Sequence, residues 1–187
     1  MSGGFPRAGR APGPADAYRH AARSWTTGVA LLTARHGDEV FAKTVSSLCP
    51  LSLDPPLVSV AVDRRSPIVT AVRGGRGFAL NVLAADQEPL ARRFASPGAG
   101  RALGCFTTAP MRPGTTGVPV LERCLAWFDC RLHGVLPGGD HVLLVGLVAA
   151  ADAVPGDPLV YHDGRYRSPG PGHPTDHPNP TSAGARA

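Results

Sequence analysis

The sequence has little lysine, no paired-cysteine motif and no long apolar run. Only one of its 19 basic residues is a lysine, Lys43, and the arginines are scattered, so nucleic-acid binding is not expected. The four cysteines form no C-x-x-C pair and have no histidine spacing that suits zinc, so no metal site is expected. The longest apolar stretch, Val142 to Ala151, has ten residues and is too short to cross a bilayer. Because the N-terminus also lacks an apolar segment typical of a secretory leader, we expect a cytoplasmic protein that does not enter the membrane.

Glycine and proline are abundant, and their placement indicates the domain organisation. The chain of 187 residues has 23 glycines and 20 prolines, of which seven lie in residues 1–15 and eight in residues 168–187. The 43 % of apolar residues argues against a wholly disordered chain. The composition therefore predicts disordered tails over 1–15 and 168–187 and one folded domain over 16–167.

Turn residues divide this domain into about seven strands and three short helices. The helices are predicted at Ala17–Trp25, with Asp16 as the N-cap and alanines and Trp25 on its buried side, after Ser66-Pro67, and at Gln87–Phe94. The predicted strands are Val29–Ala34, Val40–Val45, Leu57–Val62, Phe78–Leu83, Cys124–Val135 and His141–Ala151, with a short closing pair at Pro158–Tyr161 and Arg165–Arg167. Sequential, turn-linked strands favour an antiparallel barrel with helices at its ends over a doubly wound sheet. Residues 96–119 are irregular, which is typical of a functional loop or an excursion to a partner subunit.

The densest polar cluster is Lys43-Thr-Val-Ser-Ser47, at the end of a predicted strand. A strand that leaves its sheet here exposes N–H groups beside three hydroxyls and one ammonium, a combination that suits an anionic ligand. A polar edge strand that leads into a proline-rich turn explains the same residues without a ligand. The sequence has neither a Walker lysine motif nor a G-x-G-x-x-G turn after a strand, so the usual nucleotide-phosphate loops are absent.

A second cluster, Gly139-Asp140-His141, lies in the hairpin between the two longest predicted strands. A histidine at this turn is held by a rigid support at the barrel rim, where it can bond a ligand or act as a general acid. The alternative is ordinary turn chemistry, with His141 as the first residue of its strand.

Taken in order, several short motifs resemble the flavin reductase-like family. No single motif is specific, but their order over residues 17–167 is. They are W-T-T-G-V-A-L-L-T (Trp25–Thr33), T-V-S-S (Thr44–Ser47), L-S-L-D-P-P-L-V (Leu51–Val58), F-A-L-N-V-L (Phe78–Leu83), A-R-R-F-A (Ala91–Ala95), G-V-P-V-L (Gly117–Leu121), G-D-H (Gly139–His141) and P-L-V-Y-H-D-G-R-Y (Pro158–Tyr166).

The resemblance implies a mainly β fold, a split antiparallel Greek-key β-barrel with a few short helices that binds FMN. It implies a homodimer that uses NADH or NADPH to reduce FMN or FAD and supplies reduced flavin to a partner monooxygenase. His141 is implied to meet the nicotinamide as the catalytic residue. The residues implied to bind the cofactor are Lys43, Thr44, Val45, Ser46, Ser47, Cys49, Ser66 (at the phosphate), Phe78, Asn81 and His141.

Two questions stay open in the sequence. Lys43 stands where relatives are expected to have an apolar residue, so it is either an additional flavin contact or a solvent-facing side chain. The alternative functions are a flavoprotein that holds FMN or FAD tightly and acts directly on a small organic substrate, and a split barrel that carries flavin or haem without turnover.

Overall fold

The structure is a computed structural model that describes residues 13–96 and 109–170, so both predicted tails lie largely outside the described residues. Within these ranges the chain forms three α-helices and twelve strands. The helices are α1 (Pro14–Arg23), α2 (Pro67–Gly75) and α3 (Glu88–Ala95), the last preceded by a short 3₁₀ turn over Ala85–Gln87. The strands are β1 (Thr27–Gly28), β2 (Ala30–His36), β3 (Glu39–Val45), β4 (Cys49–Leu53), β5 (Pro56–Asp63), β6 (Gly77–Val82), β7 (Met111–Pro113), β8 (Pro119–Leu121), β9 (Ala126–Gly138), β10 (His141–Ala153), β11 (Val160–His162) and β12 (Arg165–Arg167).

A seven-stranded antiparallel sheet forms the body of the fold, in the order β3-β2-β6-β9-β10-β5-β4. Its longest pairing is the β9–β10 hairpin, in which two register shifts bend the strands. Beside this sheet, β1, β11 and β12 form a three-stranded sheet, and β7 pairs with β8. The mainly β class with three short helices, predicted from the sequence, is confirmed.

The main core packs apolar residues of the seven-stranded sheet against one side of α2. Ile68, Ala71 and Val72 of this helix are at most 1 % exposed. Full burial of a side chain such as Ile68 stabilises the fold by roughly 1.5–3 kcal/mol. A second core holds α3 against β2 and β3, with Phe94 of the helix buried. Gly146 in β10 is required by packing, because a Cβ there would lie 2.6 Å from Cζ of Phe78.

The structure corrects the sequence predictions at α1. This helix begins at Pro14 with Gly13 as its N-cap, so Asp16 lies in the first turn rather than at the cap. None of its residues is buried, and the expected buried side is exposed, with Trp25 just beyond the helix 76 % accessible. The apolar side of α1 therefore has no partner among the described residues.

Four strands were missed. One is the short β1, which pairs with β11 and lies between the predicted helix and the predicted strand from Val29. Cys49–Leu53, read as a proline-rich turn, is β4 and pairs with β5. The segment expected to be irregular contains β7 and β8, which pair between Met111 and Leu121, while residues 97–108 lie outside the described residues. Short strands with proline at their ends lack the alternating pattern by which strands are recognised.

Among the described residues, no helix has the length and apolar character needed to span a membrane.

Candidate functional site

Ser47 takes the place of a backbone group at the end of the β4–β5 ladder. The ladder pairs Cys49 with Ser59, and two residues further on the Ser47 hydroxyl faces Ala61 of β5. This hydroxyl donates to the Ala61 carbonyl (2.9 Å) and accepts from the Ala61 N–H (3.1 Å). Ser47 therefore fixes where the chain leaves β3, and one acceptor position of its oxygen remains for another donor.

Of the two hydroxyls that precede Ser47, one is hydrogen-bonded within the fold and the other is not. The Thr44 hydroxyl donates to the Ala91 carbonyl (2.7 Å) and so fastens α3 to β3. Ser46 is exposed, and its hydroxyl makes no hydrogen bond within the described residues. Of the three hydroxyls predicted to contact an anion, only that of Ser46 is wholly free of the fold.

A small cleft of about 180 Å³ brings three of the sequence-predicted residues together. Thr44, Val45 and Ser46 line one side of it, and Tyr161 and Tyr166 line the other. The two tyrosine rings lie 5.4 Å apart between centroids, and the Arg92 guanidinium stacks 5.1 Å from the Tyr166 ring. Burial, and then Tyr161, raise the pKa of Tyr166, so its phenol is protonated at neutral pH and can donate a hydrogen bond.

His141 lies between two carboxylates at the start of β10. Its Nδ1 is 2.8 Å from Oδ1 of Asp140, and in the sheet His141 pairs directly with Asp63 of β5. The hydrogen bond from His141 lowers the pKa of Asp140, which is therefore ionised and can only accept. The proton of that bond belongs to Nδ1, which leaves Nε2 available to a ligand. The His141 side chain is 48 % exposed, so a ligand can reach it.

Asp63 is held by Arg65 rather than by the histidine. Its carboxylate accepts from the Arg65 backbone N–H (2.8 Å) and forms an ion pair with the Arg65 guanidinium (3.0 Å). The hydrogen bonds from Arg65 lower the pKa of Asp63 to about 2, with a smaller contribution from the charge of His141. This turn also brings the Arg64 backbone to the hairpin, where its N–H donates to the Asp140 carbonyl (3.1 Å).

Ser66 follows at the N-terminus of α2, as predicted. It is the N-cap residue, but its hydroxyl makes no capping bond, and Pro67 at the first helical position has no N–H to cap. A free hydroxyl at the positive end of a helix, beside the Arg64 guanidinium, is a donor set that suits a phosphate group, whereas Arg65 is paired with Asp63. The residues present therefore fit a phosphorylated cofactor such as FMN or FAD.

These groups form one continuous strip, defined by Ser46, Ser47, Asp63, Ser66 and His141. Ala61, which Ser47 bonds, and Asp63, which pairs with His141, are two positions apart in β5 and lie on the same face of the strand. Two residues of a strand span roughly 7 Å. Thr44 and Val45 line the small cleft together with Ser46 and so extend the strip. The sequence analysis assigned no role to Asp63 of the strip or to its neighbours Asp140, Tyr161 and Tyr166.

The predicted flavin contacts of Phe78 and Asn81 need correction, because neither residue has surface that a ligand can touch. Both are 0 % exposed. Phe78 lies in the main core. The Asn81 amide donates to the Leu31 carbonyl (2.9 Å) and to the Thr33 hydroxyl (3.2 Å), and its oxygen accepts from the Leu121 N–H (2.8 Å). Both residues hold the fold rather than line the predicted groove.

Lys43 and Cys49 lie near the strip but differ in exposure. Lys43 pairs with Leu32 of β2, is half-buried, and has no carboxylate within ion-pair distance among the described residues. Cys49 is exposed at the start of β4. Burial raises the pKa of Cys124 to about 11 and that of Cys130 to about 12, so neither supplies a thiolate at neutral pH. The residues described here contain no group of acids, histidines and cysteines that could hold a metal ion.

A mainly β fold that places hydroxyls and one exposed histidine along a single strip has the groups needed to position a flavin and a nicotinamide. The model of the flavin reductase like domain matches residues 22–170, most of the chain. The chain therefore belongs to the flavin reductase-like family, as its motifs indicated.

Two relatives of known activity are similar to this chain over most of its length. An NADH-dependent FMN reductase, AsuE2 of Streptomyces nodosus subsp. asukaensis, is 37 % identical over 161 residues, which cover 84 % of this chain and 86 % of AsuE2. The reductase component of 4-hydroxyphenylacetate 3-monooxygenase from Thermus thermophilus is 34 % identical over 154 residues, 81 % of this chain and 95 % of the relative.

Solved structures agree with the split-barrel fold. BorF, the flavin reductase component of a bacterial two-component tryptophan halogenase, matches with a TM-score of 0.76 and 34 % identity over 82 % of this chain and 97 % of BorF. The Streptomyces globisporus C-1027 NADH:FAD oxidoreductase SgcE6, in complex with NAD and FAD fragments, matches with a TM-score of 0.77 and 29 % identity over 88 % of this chain and 98 % of that chain. The predicted split barrel is thereby confirmed.

Proposed function

We propose that the protein is an NAD(P)H-dependent flavin reductase that reduces FMN or FAD and releases the reduced flavin to a separate monooxygenase. The observation that carries this proposal is the strip in which an exposed histidine lies beside a donor set suited to phosphate. Similar proteins whose names specify NADH, FMN, FAD and a monooxygenase partner support the same activity. Bound flavin supplies the hydride acceptor and the nicotinamide supplies the donor.

The phosphate end of the flavin is assigned to the turn before α2. The Ser66 hydroxyl donates to a phosphate oxygen, and the charge of Arg64 favours the anion, since Arg65 is already paired with Asp63. Ser46 and the remaining acceptor position of Ser47 are assigned to the polar edge of the flavin ring. Val45 and Thr44 contribute contact surface, and Cys49 borders the same region.

His141 is assigned to the nicotinamide. Because Asp140 binds Nδ1, the imidazole plane is fixed and Nε2 faces outward as the group that bonds the nicotinamide. The histidine does not act as a nucleophile, since hydride transfer requires the two rings to be positioned rather than activated covalently.

His141→Ala tests this assignment. We expect the KM for the nicotinamide to rise and the rate of flavin reduction to fall, each by roughly ten-fold, because one positioning hydrogen bond is worth roughly 1–3 kcal/mol. The matched control is His36→Ala, which removes an exposed histidine at the far end of β2. Steady-state oxidation of NADH and NADPH with FMN and FAD measures both variants and identifies the preferred pair. Equal kinetics for His141→Ala and the wild-type chain would contradict the assignment.

Lys43 is proposed to be a packing residue whose ammonium reaches solvent. Its half-buried position opposite Leu32 supports contact of its aliphatic stem with the sheet. Lys43→Met keeps this contact and removes the charge, so the proposal predicts unchanged flavin affinity. Weaker flavin binding in Lys43→Met would instead identify the ammonium as a cofactor contact.

We propose that the protein is a homodimer. Large apolar side chains are exposed on α1 and β4, with Tyr18 74 %, Leu51 50 % and Leu53 96 % accessible. Large apolar side chains exposed on a folded domain mark candidate protein–protein interfaces. The cytoplasm remains the proposed compartment, because Cys49, Cys124 and Cys130 are all unpaired.

A further inference from the structure

A second cleft, of about 550 Å³, lies where α2 ends and β6 begins. We call it the basic cleft and define it by Arg76, Thr115, Thr116, Arg131 and His133. Arg131 of β9 pairs with Leu147 of β10, six residues from His141, which is about 20 Å along the strand. The basic cleft is therefore separate from the strip that contains His141.

The ionisable side chains that line the basic cleft are all basic. Two guanidiniums and one imidazole line it, and no aspartate or glutamate does. Neither Arg76 nor Arg131 has a carboxylate within ion-pair distance among the described residues. Elsewhere on the surface such pairs form readily, as Arg65, Arg92 and Arg123 each do with one carboxylate. An unpaired cluster of guanidiniums in a concave site is a place where an anion gains charge-assisted hydrogen bonds.

The nearest acid, Asp129, is withdrawn from the cleft. Its side chain is fully buried and accepts hydrogen bonds from the Thr116 N–H (2.8 Å) and from the Thr116 hydroxyl. These bonds fix the turn between β7 and β8 against β9. The Thr115 side chain, exposed on the same turn, makes no hydrogen bond within the described residues and remains available to a ligand.

The backbone that carries Arg76 is rigidly held. Arg76 has a φ of 54°, in the left-handed region, which is less favourable for a residue with a side chain than for glycine. Its carbonyl accepts from the Leu132 N–H (2.9 Å), and a Cβ at the preceding Gly75 would lie 1.9 Å from the Arg35 carbonyl. Glycine is the usual residue at a left-handed helix end, so an arginine there points to a use for its side chain.

A simpler explanation covers part of this arrangement. Basic side chains near the last turn of a helix stabilise the helix dipole, and this accounts for Arg76. It does not account for Arg131 and His133, which lie on β9, or for their meeting Arg76 across one cleft.

We propose that the basic cleft binds the phosphate group of a small molecule. Its volume lies in the range of small-ligand pockets, roughly 300–1,000 Å³. Arg76 and Arg131 bond the phosphate oxygens, Thr115 donates a further hydrogen bond, and His133 contributes when it is protonated. The phosphate belongs either to the distal part of a nicotinamide dinucleotide or to a separate phosphorylated ligand.

Calorimetric titration with inorganic pyrophosphate at low ionic strength tests the proposal in the full chain. We expect saturable binding at the basic cleft, in addition to the phosphate site assigned to Ser66, and this binding should be roughly ten-fold or more weaker in Arg131→Gln and in Arg76→Gly. Arg76→Gly removes the guanidinium while favouring the left-handed backbone, so it keeps the fold. The control is Arg167→Gln, an equal loss of charge on exposed β12, which should change the affinity by less than about two-fold.

Kinetics of the same variants distinguish the two sources of phosphate. If the dinucleotide occupies the cleft, Arg76→Gly and Arg131→Gln raise the KM for NADH or NADPH. If a separate ligand does, the KM is unchanged while pyrophosphate binding is lost. This comparison needs the proposed reductase activity, whereas the titration does not. No saturable pyrophosphate binding, or an equal loss in all three variants, would overturn the proposal.

Discussion

At the scale of single residues, the hydroxyls that follow β3 are divided between the fold and the surface. Thr44 and Ser47 donate to carbonyls of α3 and β5, and Ser46 donates to none that the structure describes. The same residue types therefore serve two purposes within four positions. Sequence alone shows their shared chemistry but not which carbonyls lie within reach.

Ser47→Ala and Ser46→Ala separate these purposes. Ser47→Ala removes both bonds to Ala61 and should lower the free energy of unfolding by about 1–2 kcal/mol. Ser46→Ala should leave it within about 0.5 kcal/mol, since no bond of the fold is lost. Urea denaturation of each variant measures the difference. Equal destabilisation by the two substitutions would show that Ser47 has no special role in the ladder.

Asp63 should contribute to stability at moderate but not at very low pH. Its hydrogen bonds from Arg65 lower its pKa from 3.8 to about 2. A depressed carboxyl pKa stabilises the fold above the unfolded value, and this contribution is lost as the pH falls from about 4 through 2. Asp63→Asn should therefore show a shallower loss of stability over that range, measured by unfolding at a series of pH values. A slope identical to that of the wild-type chain would contradict the role of Arg65.

At the scale of elements, Asn81 joins strands β2 and β6 to the β7–β8 hairpin. It lies in β6, donates to the carbonyl of Leu31 in β2, and accepts from the N–H of Leu121 in β8. The β7–β8 hairpin in turn covers the outer side of β6 and β9, where Val118 and Val120 are buried. A single buried amide thus ties a segment that sequence reasoning read as irregular to the main sheet.

Asn81→Ala tests that connection. It leaves buried carbonyl and N–H groups without a partner, so the free energy of unfolding should fall by about 2–3 kcal/mol. Gln87→Ala is the matched control, because that amide also makes two backbone hydrogen bonds but lies near the surface. Its cost should stay below about 1 kcal/mol. If chemical denaturation gave equal losses for both variants, the buried network would not be what holds the hairpin.

The long elements could be predicted from the sequence because their signals are local. The β9–β10 hairpin has strong turn residues between two apolar runs, and α2 has its serine and proline at the start. The burial of Asn81 could not be predicted, since it depends on β8 packing over β6, and that of Phe78 depends on β10 packing close to its ring at Gly146. The pairing of Asp63 with His141 likewise depends on the register of β5 with β10, which joins residues far apart in the chain.

At the scale of the whole molecule, apolar side chains without partners mark the surface of the proposed dimer. α1 buries none of its residues, and Leu53 at the end of β4 is almost wholly exposed. Both features are explained if a second copy covers them. A second copy that covers α1 would also explain why this helix does not pack on its own domain in the way that the sequence predicts.

Leu53→Asp tests this surface. Loss of one buried leucine and burial of a charge should weaken a dimer by roughly 3 kcal/mol or more, about a hundred-fold in Kd. Light scattering during size-exclusion chromatography should then show a monomer. Val154→Asp, at a 56 % exposed residue after β10, is the control and should leave the dimer intact. A dimer that persists in Leu53→Asp would exclude β4 from the interface.

We propose that flavin passes through this protein as a substrate rather than staying bound to it. The absorption spectrum of the purified protein, followed by NADH oxidation with and without added FMN, tests this most directly. We expect a nearly colourless protein that oxidises NADH only when flavin is added, with a rate that saturates in flavin. A yellow protein that keeps its flavin through dilution, and whose NADH oxidation does not respond to added FMN, would contradict it.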